Sequence, residues 1–227
     1  MHLVLLAILL LALIFGPQLW ARSVLSRYSQ HQERYPGNGA EFARHLLSKC
    51  GLEAVKVEKT TLGDHYDPTD RCVRLSEANF DGKSLTAVTV AAHEVGHAIQ
   101  HQQGDPKLLL RGKLVRIAQV TEKAGSLAMF AVPLLVGVTR APSAGILMFL
   151  IGLASLGVSA LVHLVTLPVE LDASFGKAMP LIKAGQYLTP TEERAAKKIL
   201  RACAFTYLAA SLSSLLNIWR WIRFLRR

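Results

Sequence analysis

Two histidines and a glutamate stand close together near the middle of the chain, in the run His93-Glu94-Val95-Gly96-His97. If this run is helical, His93 and His97 lie one turn apart on the same face, where both imidazoles can reach one metal ion. Glu94 then points at a water molecule bound to that ion and can take its proton. The spacing therefore predicts a catalytic zinc site with Glu94 as general base.

The residues around this motif predict the helix that it needs. Ser84 is a suitable N-cap, residues 85 to 99 contain good helix formers, and Gly104-Asp105-Pro106 supplies a stop. In the alternative, the histidines are ordinary core or surface residues of a helix. Two imidazoles and a carboxylate are costly to bury without a metal ion or hydrogen-bond partners, so zinc is the favoured interpretation.

A catalytic zinc site needs a third protein ligand and an open position. In one large class of sites this ligand is a histidine six residues after the second histidine, with a glycine between them. Here Gln103 and Gln100 occupy those two places, which excludes that class. A glutamate from a later helix is the alternative, and Glu170 in the run from Val169 to Ser174 is the best candidate.

Four further side chains are candidates for supporting the reaction, and they are Asp172, His65, Tyr66 and Tyr207. The aspartate could orient a ligating histidine, with a surface position as the alternative. The imidazole and the two phenols could stabilise an oxyanion. His101 shares a helical face with His97, but it lies two turns from His93, which favours a surface or supporting position.

Apolar residues are concentrated in blocks of the sequence. Hydrophobic residues make up 51% of the 227 residues, and the apolar blocks are residues 3–20, 124–139, 143–168 and 202–218. About 20 apolar residues are needed to cross a bilayer, so the first and third blocks are long enough, whereas the second and fourth are short. We therefore expect a mainly α-helical membrane protein of about four transmembrane or membrane-embedded helices, together with a small α+β catalytic portion.

The distribution of basic residues predicts how these helices are oriented. Lys and Arg are frequent in residues 21–123 and 167–201, whereas Arg140 stands alone in the loop between the second and third blocks. Because positively charged segments stay inside, we expect a multi-pass protein of the cell membrane with cytoplasmic catalytic segments. This topology returns Glu170 to the side of the membrane that carries the histidine motif.

We expect the chain to be divided into five segments. The first three are a transmembrane anchor at 1–20, a cytoplasmic catalytic segment at 21–123 and a two-helix transmembrane hairpin at 124–168. The last two are a cytoplasmic segment with the third zinc ligand at 169–201, and a fourth membrane helix with a basic interfacial tail at 202–227. Residues 202–218 either cross fully or are re-entrant. Within the catalytic segment, residues 53–60 and 71–76 alternate in polarity, which predicts a two-stranded sheet, or β-hairpin, before the motif helix. Residues 63–68 are predicted to form a loop.

The charge distribution and the cysteine content limit which binding partners and which redox setting we expect. The net charge is +10, but the basic residues flank the apolar blocks, which favours the anionic headgroups of a lipid bilayer over nucleic acid. The three cysteines, Cys50, Cys72 and Cys203, form no C-x-x-C pair and indicate reduced thiols. A peptide or protein substrate and the bilayer are the expected partners, and a membrane partner protein or a homo-oligomer is left open.

Several runs spread over nearly the whole chain carry a family resemblance. They are Asp64-His65-Tyr66-Asp67-Pro68, Leu75-Ser76-Glu77, Ala91-Ala92-His93-Glu94-Val95-Gly96-His97-Ala98-Ile99-Gln100, Leu167-Pro168-Val169-Glu170-Leu171-Asp172-Ala173-Ser174 and Thr206-Tyr207. The chain resembles the YugP-type neutral zinc metallopeptidases of bacterial membranes, although Phe175-Gly176-Lys177 departs from a stretch that is usually basic. The resemblance implies a membrane-bound, gluzincin-like metalloprotease with a zincin-like catalytic portion.

The hypothesis from the sequence is a zinc endopeptidase acting at the cytoplasmic membrane surface. One alternative is an intramembrane site-2-type protease, but only about eight apolar residues precede His93 and a polar run follows His101, so the motif helix is too polar to cross. The other is a non-catalytic zinc-containing membrane scaffold. A structural zinc site needs no general base, so the intact Glu94 argues against this scaffold.

Overall fold

A computed structural model describes residues 2–139, 150, 162 and 165–215. Most of these residues are helical, and three short strands form one sheet. In chain order the elements are α1 (His2–Arg27), α2 (Gly39–Lys49), β1 (Lys56–Thr60), β2 (His65–Asp67), β3 (Cys72–Ser76), α3 (Glu77–Phe80), α4 (Leu85–Gln102), α5 (Pro106–Thr139), α6 (165–171), a π-helix (Asp172–Ala178), α7 (Met179–Ala184) and α8 (Pro190–Leu215).

Two helices, α2 and α4, begin at side-chain caps. Ser84 Oγ accepts a hydrogen bond from the backbone N–H of Ala87 at 3.1 Å, so α4 begins where the sequence predicts. In α2, Asn38 Oδ1 accepts from the N–H of Glu41 at 2.9 Å, and Glu41 Oε2 accepts from the N–H of Asn38 at 2.8 Å. This reciprocal pair is a capping box, which satisfies two of the backbone donors at the helix start.

The sheet has the strand order β1-β3-β2, with β1 parallel to β3 and β2 antiparallel to β3. The two predicted strands are present as β1 and β3, but the predicted hairpin between them is wrong because they pair in parallel. A parallel pair needs a long connection, and residues 61–71 supply one that includes β2, where a loop was predicted. The antiparallel hairpin is therefore formed by β2 and β3.

The histidine motif lies on α4, at the centre of the fold. Of the 18 residues of α4, 15 are buried, and this helix packs against α2, α3, α8, β3 and the π-helix. A helix that is buried on all sides normally carries apolar residues. The imidazoles and the carboxylate of the motif must therefore find partners inside the protein.

A glycine of the motif lets the π-helix approach α4 closely. A β-carbon at Gly96 would lie only 2.5 Å from the carbonyl oxygen of Ala173. Because such a contact forces atoms to move, glycine is the residue that fits this crossing. The close approach brings the segment that follows Glu170 against the helix that carries the histidines.

None of the helices within the described ranges is both long enough and apolar enough to cross a membrane. The predictions of about four transmembrane or membrane-embedded helices and of a multi-pass location in the cell membrane are therefore wrong. The described apolar blocks are not separate spans but parts of longer helices: α5 joins residues 124–139 to a basic first half, and α8 begins with the charged stretch 192–201. Residues 143–149, 151–161, 163–164 and 216–227 of the other predicted membrane segments lie outside the described residues.

Candidate metal centre

His93, His97 and Glu170 each offer one ligand atom, and these atoms lie within 4.8 Å of one another. The Nε2 atoms of both histidines lie 3.2 Å from Glu170 Oε2. The three residues are only 1%, 2% and 0% exposed. We call this cluster, together with the neighbouring Glu94, the metal centre.

The other ring nitrogen of each histidine has a hydrogen-bond partner. Ser174 Oγ lies 3.0 Å from His93 Nδ1 and donates its own hydrogen to the carbonyl of Leu200 at 3.2 Å, so it accepts from Nδ1. Gln100 Oε1 accepts from His97 Nδ1 at 2.9 Å. In the neutral imidazoles both Nε2 atoms are then free of hydrogen, and their lone pairs face the carboxylate of Glu170.

Three buried atoms of the metal centre have no hydrogen-bond partner within the described part of the chain, namely His93 Nε2, Glu94 Oε2 and Glu170 Oε1. Glu170 Oε1 does lie 3.0 Å from Arg111 Nη1, as an ion pair outside hydrogen-bond geometry. Each buried polar atom without a hydrogen bond costs about 1–3 kcal/mol, so atoms of this kind gathered in one site indicate that a bound group belongs there. Two imidazole nitrogens and one carboxylate oxygen are the ligand set of a catalytic zinc ion, and these residues fit it.

Glu170 is held in its charged form. Burial by itself raises the pKa of Glu170, but His97, His93 and the guanidinium of Arg111 outweigh burial and hold the pKa well below its ordinary range. A carboxylate must be deprotonated to bind a metal ion. Glu170 is therefore ready to act as a ligand at neutral pH.

The pKa of Glu94 is shifted in the opposite direction to that of Glu170. It is only 3% exposed, and burial raises its pKa to about 7, with a lowering by His93 that is opposed by the carboxylates of Glu170 and Asp64. Glu94 also borders a cavity of about 240 Å³, lined by Leu25, Asp64, Val90, His93, Glu94, Cys203 and Thr206. A group with a pKa near 7 beside a cavity can both accept and release a proton at neutral pH.

Asp172 does not contact a histidine of the metal centre directly. Its Oδ2 accepts a hydrogen bond from Gln100 Nε2 at 2.8 Å, and the other end of that amide contacts His97. The predicted orienting role of Asp172 therefore depends on Gln100, which sequence reasoning considered only as the occupant of another class's glycine position.

Of the three oxyanion candidates, Tyr66 and His65 do not line the cavity beside Glu94, and the side chain of Tyr207 is outside the described residues. Tyr66 Oη lies 2.8 Å from His101 Nδ1, and the two residues border a cavity of about 190 Å³ that includes no residue of the metal centre. His65 Nδ1 donates to the carbonyl of Gly63 at 2.8 Å, and His65 does not line the cavity beside Glu94. The backbone of Tyr207 belongs to α8, but its side chain is outside the described residues.

The structure adds four side chains that sequence reasoning did not assign to the site, namely Asp64, Gln100, Arg111 and Ser174. Asp64 and Ser174 lie inside runs that carry the family resemblance, which was an available signal. Gln100 follows His97 by three residues, a spacing at which helical side chains meet. Arg111 is one of several basic residues on α5, and nothing in the sequence distinguishes it from the others.

Asp64 is fixed at the wall of the cavity beside Glu94. Its Oδ1 accepts from the N–H and the hydroxyl of Ser76 at 2.7 and 2.9 Å, and its Oδ2 accepts from Asn79 Nδ2 at 2.8 Å. These bonds tie the segment before β2 to the end of β3 and to α3. They place a negative charge near Glu94 and contribute to its raised pKa.

Comparison with known proteins gives an independent result over nearly the full length of the chain. A family described as "Putative neutral zinc metallopeptidase" matches residues 3–226. The chain is also 38% identical over 219 residues to a Bacillus subtilis (strain 168) protein named "Putative membrane protease YugP", an alignment that covers 96% of this chain and 93% of that protein. No solved structure matches the chain. The family and the cluster of His93, His97 and Glu170 agree on zinc as the cofactor.

Proposed function

The chain belongs to the neutral zinc metallopeptidase family, and we propose that it is an endopeptidase with zinc on His93, His97 and Glu170 and with Glu94 as general base. The family makes it a zinc peptidase that acts on peptides or proteins. The observation that supports the finer assignment is the buried cluster of His93, His97 and Glu170, whose ligand atoms lie within 4.8 Å of one another. Beside it, His93 Nε2 and Glu94 Oε2 have no hydrogen-bond partner within the described part of the chain.

The three ligands are suited to hold the ion without further adjustment of protonation. His93 and His97 would bind it through Nε2, because their Nδ1 atoms contact Ser174 and Gln100. Glu170 would bind it as a carboxylate. When bound, zinc acts as a Lewis acid and lowers the pKa of a water ligand toward about 7.

Glu94 moves the proton in this proposal. Its carboxylate takes a proton from the attacking water and then gives the same proton to the amine that leaves when the carbon–nitrogen bond breaks. Burial supports the first transfer, since in the zinc-free protein it raises the pKa of Glu94 to about 7 and so makes its carboxylate a stronger base than an exposed one. The cavity beside Glu94 presents Leu25, Val90 and Cys203 as apolar walls, which would contact the substrate residue next to the cleaved bond.

Substitution of Glu94 by Gln tests the proposal. The amide keeps the shape of the side chain but cannot accept the proton, so we expect peptide cleavage to fall by about 10²–10⁴-fold while zinc stays bound. Cleavage of a peptide library and zinc content are measured on the same purified samples. Glu53→Gln is the matched control, because Glu53 is exposed and should leave both quantities unchanged.

Two outcomes would reject the proposal in different ways. Undiminished cleavage by the Glu94→Gln protein would eliminate Glu94 as the general base. Stoichiometric zinc in the wild-type protein without cleavage of any peptide in the library would favour the zinc-containing scaffold instead.

A further inference from the structure

Gln100 makes three hydrogen bonds inside the protein. It lies on α4 and is 0% exposed. Its Oε1 accepts from His97 Nδ1 at 2.9 Å, and its Nε2 donates to the carbonyl of Val169 at 2.9 Å and to Asp172 Oδ2 at 2.8 Å. Both hydrogens of the amide nitrogen are therefore used.

The orientation of this amide is determined by its neighbours. Two acceptors, the carbonyl of Val169 and the carboxylate of Asp172, surround one end, so that end must be the NH₂ group. A reversed amide would place its oxygen against both acceptors inside a buried site. The carbonyl oxygen of Gln100 consequently faces His97 and accepts a hydrogen from its Nδ1, which leaves the lone pair of Nε2 for a metal ion.

The same side chain also contacts both sides of the third ligand. Val169 directly precedes Glu170, and Asp172 follows it by two residues. Gln100 therefore joins the helix of the histidine motif to the segment that supplies the carboxylate. His93 is oriented separately by Ser174, so Gln100 acts only on the His97 and Glu170 side of the centre.

We propose that Gln100 is a positioning residue for zinc, which sets the tautomer of His97 and holds the backbone beside Glu170 against α4. Asp172 acts through Gln100 by fixing the orientation of its amide. This inference rests on the proposed zinc site, and it predicts that zinc affinity depends on a side chain that does not touch the ion.

The test measures zinc affinity by competition with a chelator, and the ring nitrogens of His97 by ¹⁵N NMR in the zinc-free protein. Gln100→Leu removes all three bonds, and we expect a 10–100-fold loss of zinc affinity, the usual effect of a residue that orients a ligand. The NMR pattern of His97 should lose its preference for hydrogen on Nδ1. Gln102→Leu is the matched control on the exposed side of the same helix and should match the wild type in both measurements.

A second pair of variants keeps the test decisive if Gln100→Leu does not fold. Gln100→Glu preserves the acceptor toward His97 but sets a carboxylate against Asp172, so zinc affinity should fall. Adding Asp172→Asn supplies an amide donor to the new carboxylate, and the double variant should regain about tenfold in affinity over Gln100→Glu alone.

The outcomes separate this inference from the proposed function. If the wild type binds zinc and His93→Ala abolishes binding, but the Gln100 variants bind like Gln102→Leu, the role of Gln100 is rejected and the zinc site stands. If His93→Ala binds zinc as tightly as the wild type, the zinc site itself is rejected. If the double variant binds zinc no more tightly than Gln100→Glu, the contact between residues 100 and 172 is not the cause of the lost affinity, and the role of Asp172 is rejected.

Discussion

Two clusters within the described part of the chain bring carboxylates around nitrogen atoms, and they differ in burial. One is the metal centre. The other, which we call the sheet clasp, consists of Arg74 on β3 with Asp67, Asp70 and Glu58. The side chains of Arg74 and Asp70 are 23% and 58% exposed, so water reaches the clasp, whereas no residue of the metal centre is more than 3% exposed.

The pKa of Asp67 in the sheet clasp and the pKa of Glu94 in the metal centre are shifted in opposite directions. Burial raises the pKa of Asp67, but the backbone N–H groups of Thr69 and Asp70 and the guanidinium of Arg74 outweigh it and lower the pKa below its ordinary value. Burial raises the pKa of Glu94 to about 7, and its Oε2 has no hydrogen-bond donor among the described residues to offset this. A paired carboxylate holds the fold together, whereas a buried carboxylate without a donor retains the capacity to move a proton.

The largest expected difference between the clusters is in zinc binding. Glu170→Gln replaces a charged ligand by a neutral amide in a site that needs three ligands, so zinc content should fall below about a tenth of the wild-type value and cleavage should be lost. Glu58→Gln makes the same change in the sheet clasp and should keep full zinc content. Metal analysis of the two purified proteins checks this, and equal zinc in both would show that Glu170 is not a ligand.

The second-largest effect is expected in the pH dependence of stability, which should differ between the wild type and Glu94→Gln. In the zinc-free protein the pKa of Glu94 is raised from 4.5 to about 7. The folded state then binds this proton more tightly than the unfolded state, so the stabilisation is present below pH 4.5 and is lost as the pH rises through 7. Wild type should lose on the order of 2–3 kcal/mol between pH 5 and 8 relative to Glu94→Gln.

Urea unfolding of both zinc-free proteins at the two pH values measures this difference, and other titrating groups cancel because both variants share them. A free-energy difference that does not change with pH would contradict the raised pKa of Glu94.

Packing around the metal centre should be less tolerant than packing elsewhere on a helix. Gly96→Ala forces a β-carbon against the carbonyl of Ala173, and we expect a loss of about 1–3 kcal/mol together with weaker zinc binding. Gly112→Ala on α5 is the control, since no atom lies within 4 Å of its new β-carbon, and it should be neutral or stabilise by up to about 1 kcal/mol. Thermal unfolding with and without zinc compares the two, and equal behaviour would remove the close crossing at Gly96 as a requirement.

The sheet clasp should give the smallest effect. Arg74→Gln is expected to lower the melting temperature by no more than a few degrees, because exposed ion pairs contribute little. The lowered pKa of Asp67 means that the clasp stabilises above the ordinary pKa of Asp67 and loses this effect as the pH falls through the folded value. The difference in melting temperature between wild type and variant should therefore narrow from pH 7 to pH 3, and the two proteins should have equal zinc content at pH 7. A gap that widened on acidification would contradict this sign.

Local sequence signals predicted the bounds of α4 well, because caps and helix periodicity act over a few residues. Ser84 and the stop after Gln102 bound α4 as expected. The pairing of the strands was predicted less well, since β1 lies parallel to β3 and the antiparallel partner of β3 is β2, which was predicted to be a loop. The membrane prediction is wrong because no helix within the described ranges is both long enough and apolar enough to cross a membrane. In α5 and α8 the apolar block is joined to a charged stretch of the same helix.

The sequence by itself determined that His93 and His97 lie one turn apart beside Glu94, because helix geometry needs nothing beyond the local chain, and it identified Glu170 as the best third candidate. The tertiary structure decided how the site is assembled. It brought Glu170 within 3.2 Å of both imidazoles, and it turned Gln100 toward His97 and placed Asp64 near Glu94. These contacts join residues that are distant in the chain, and the burial that sets the pKa values of Glu94 and Glu170 exists only after the helices have packed.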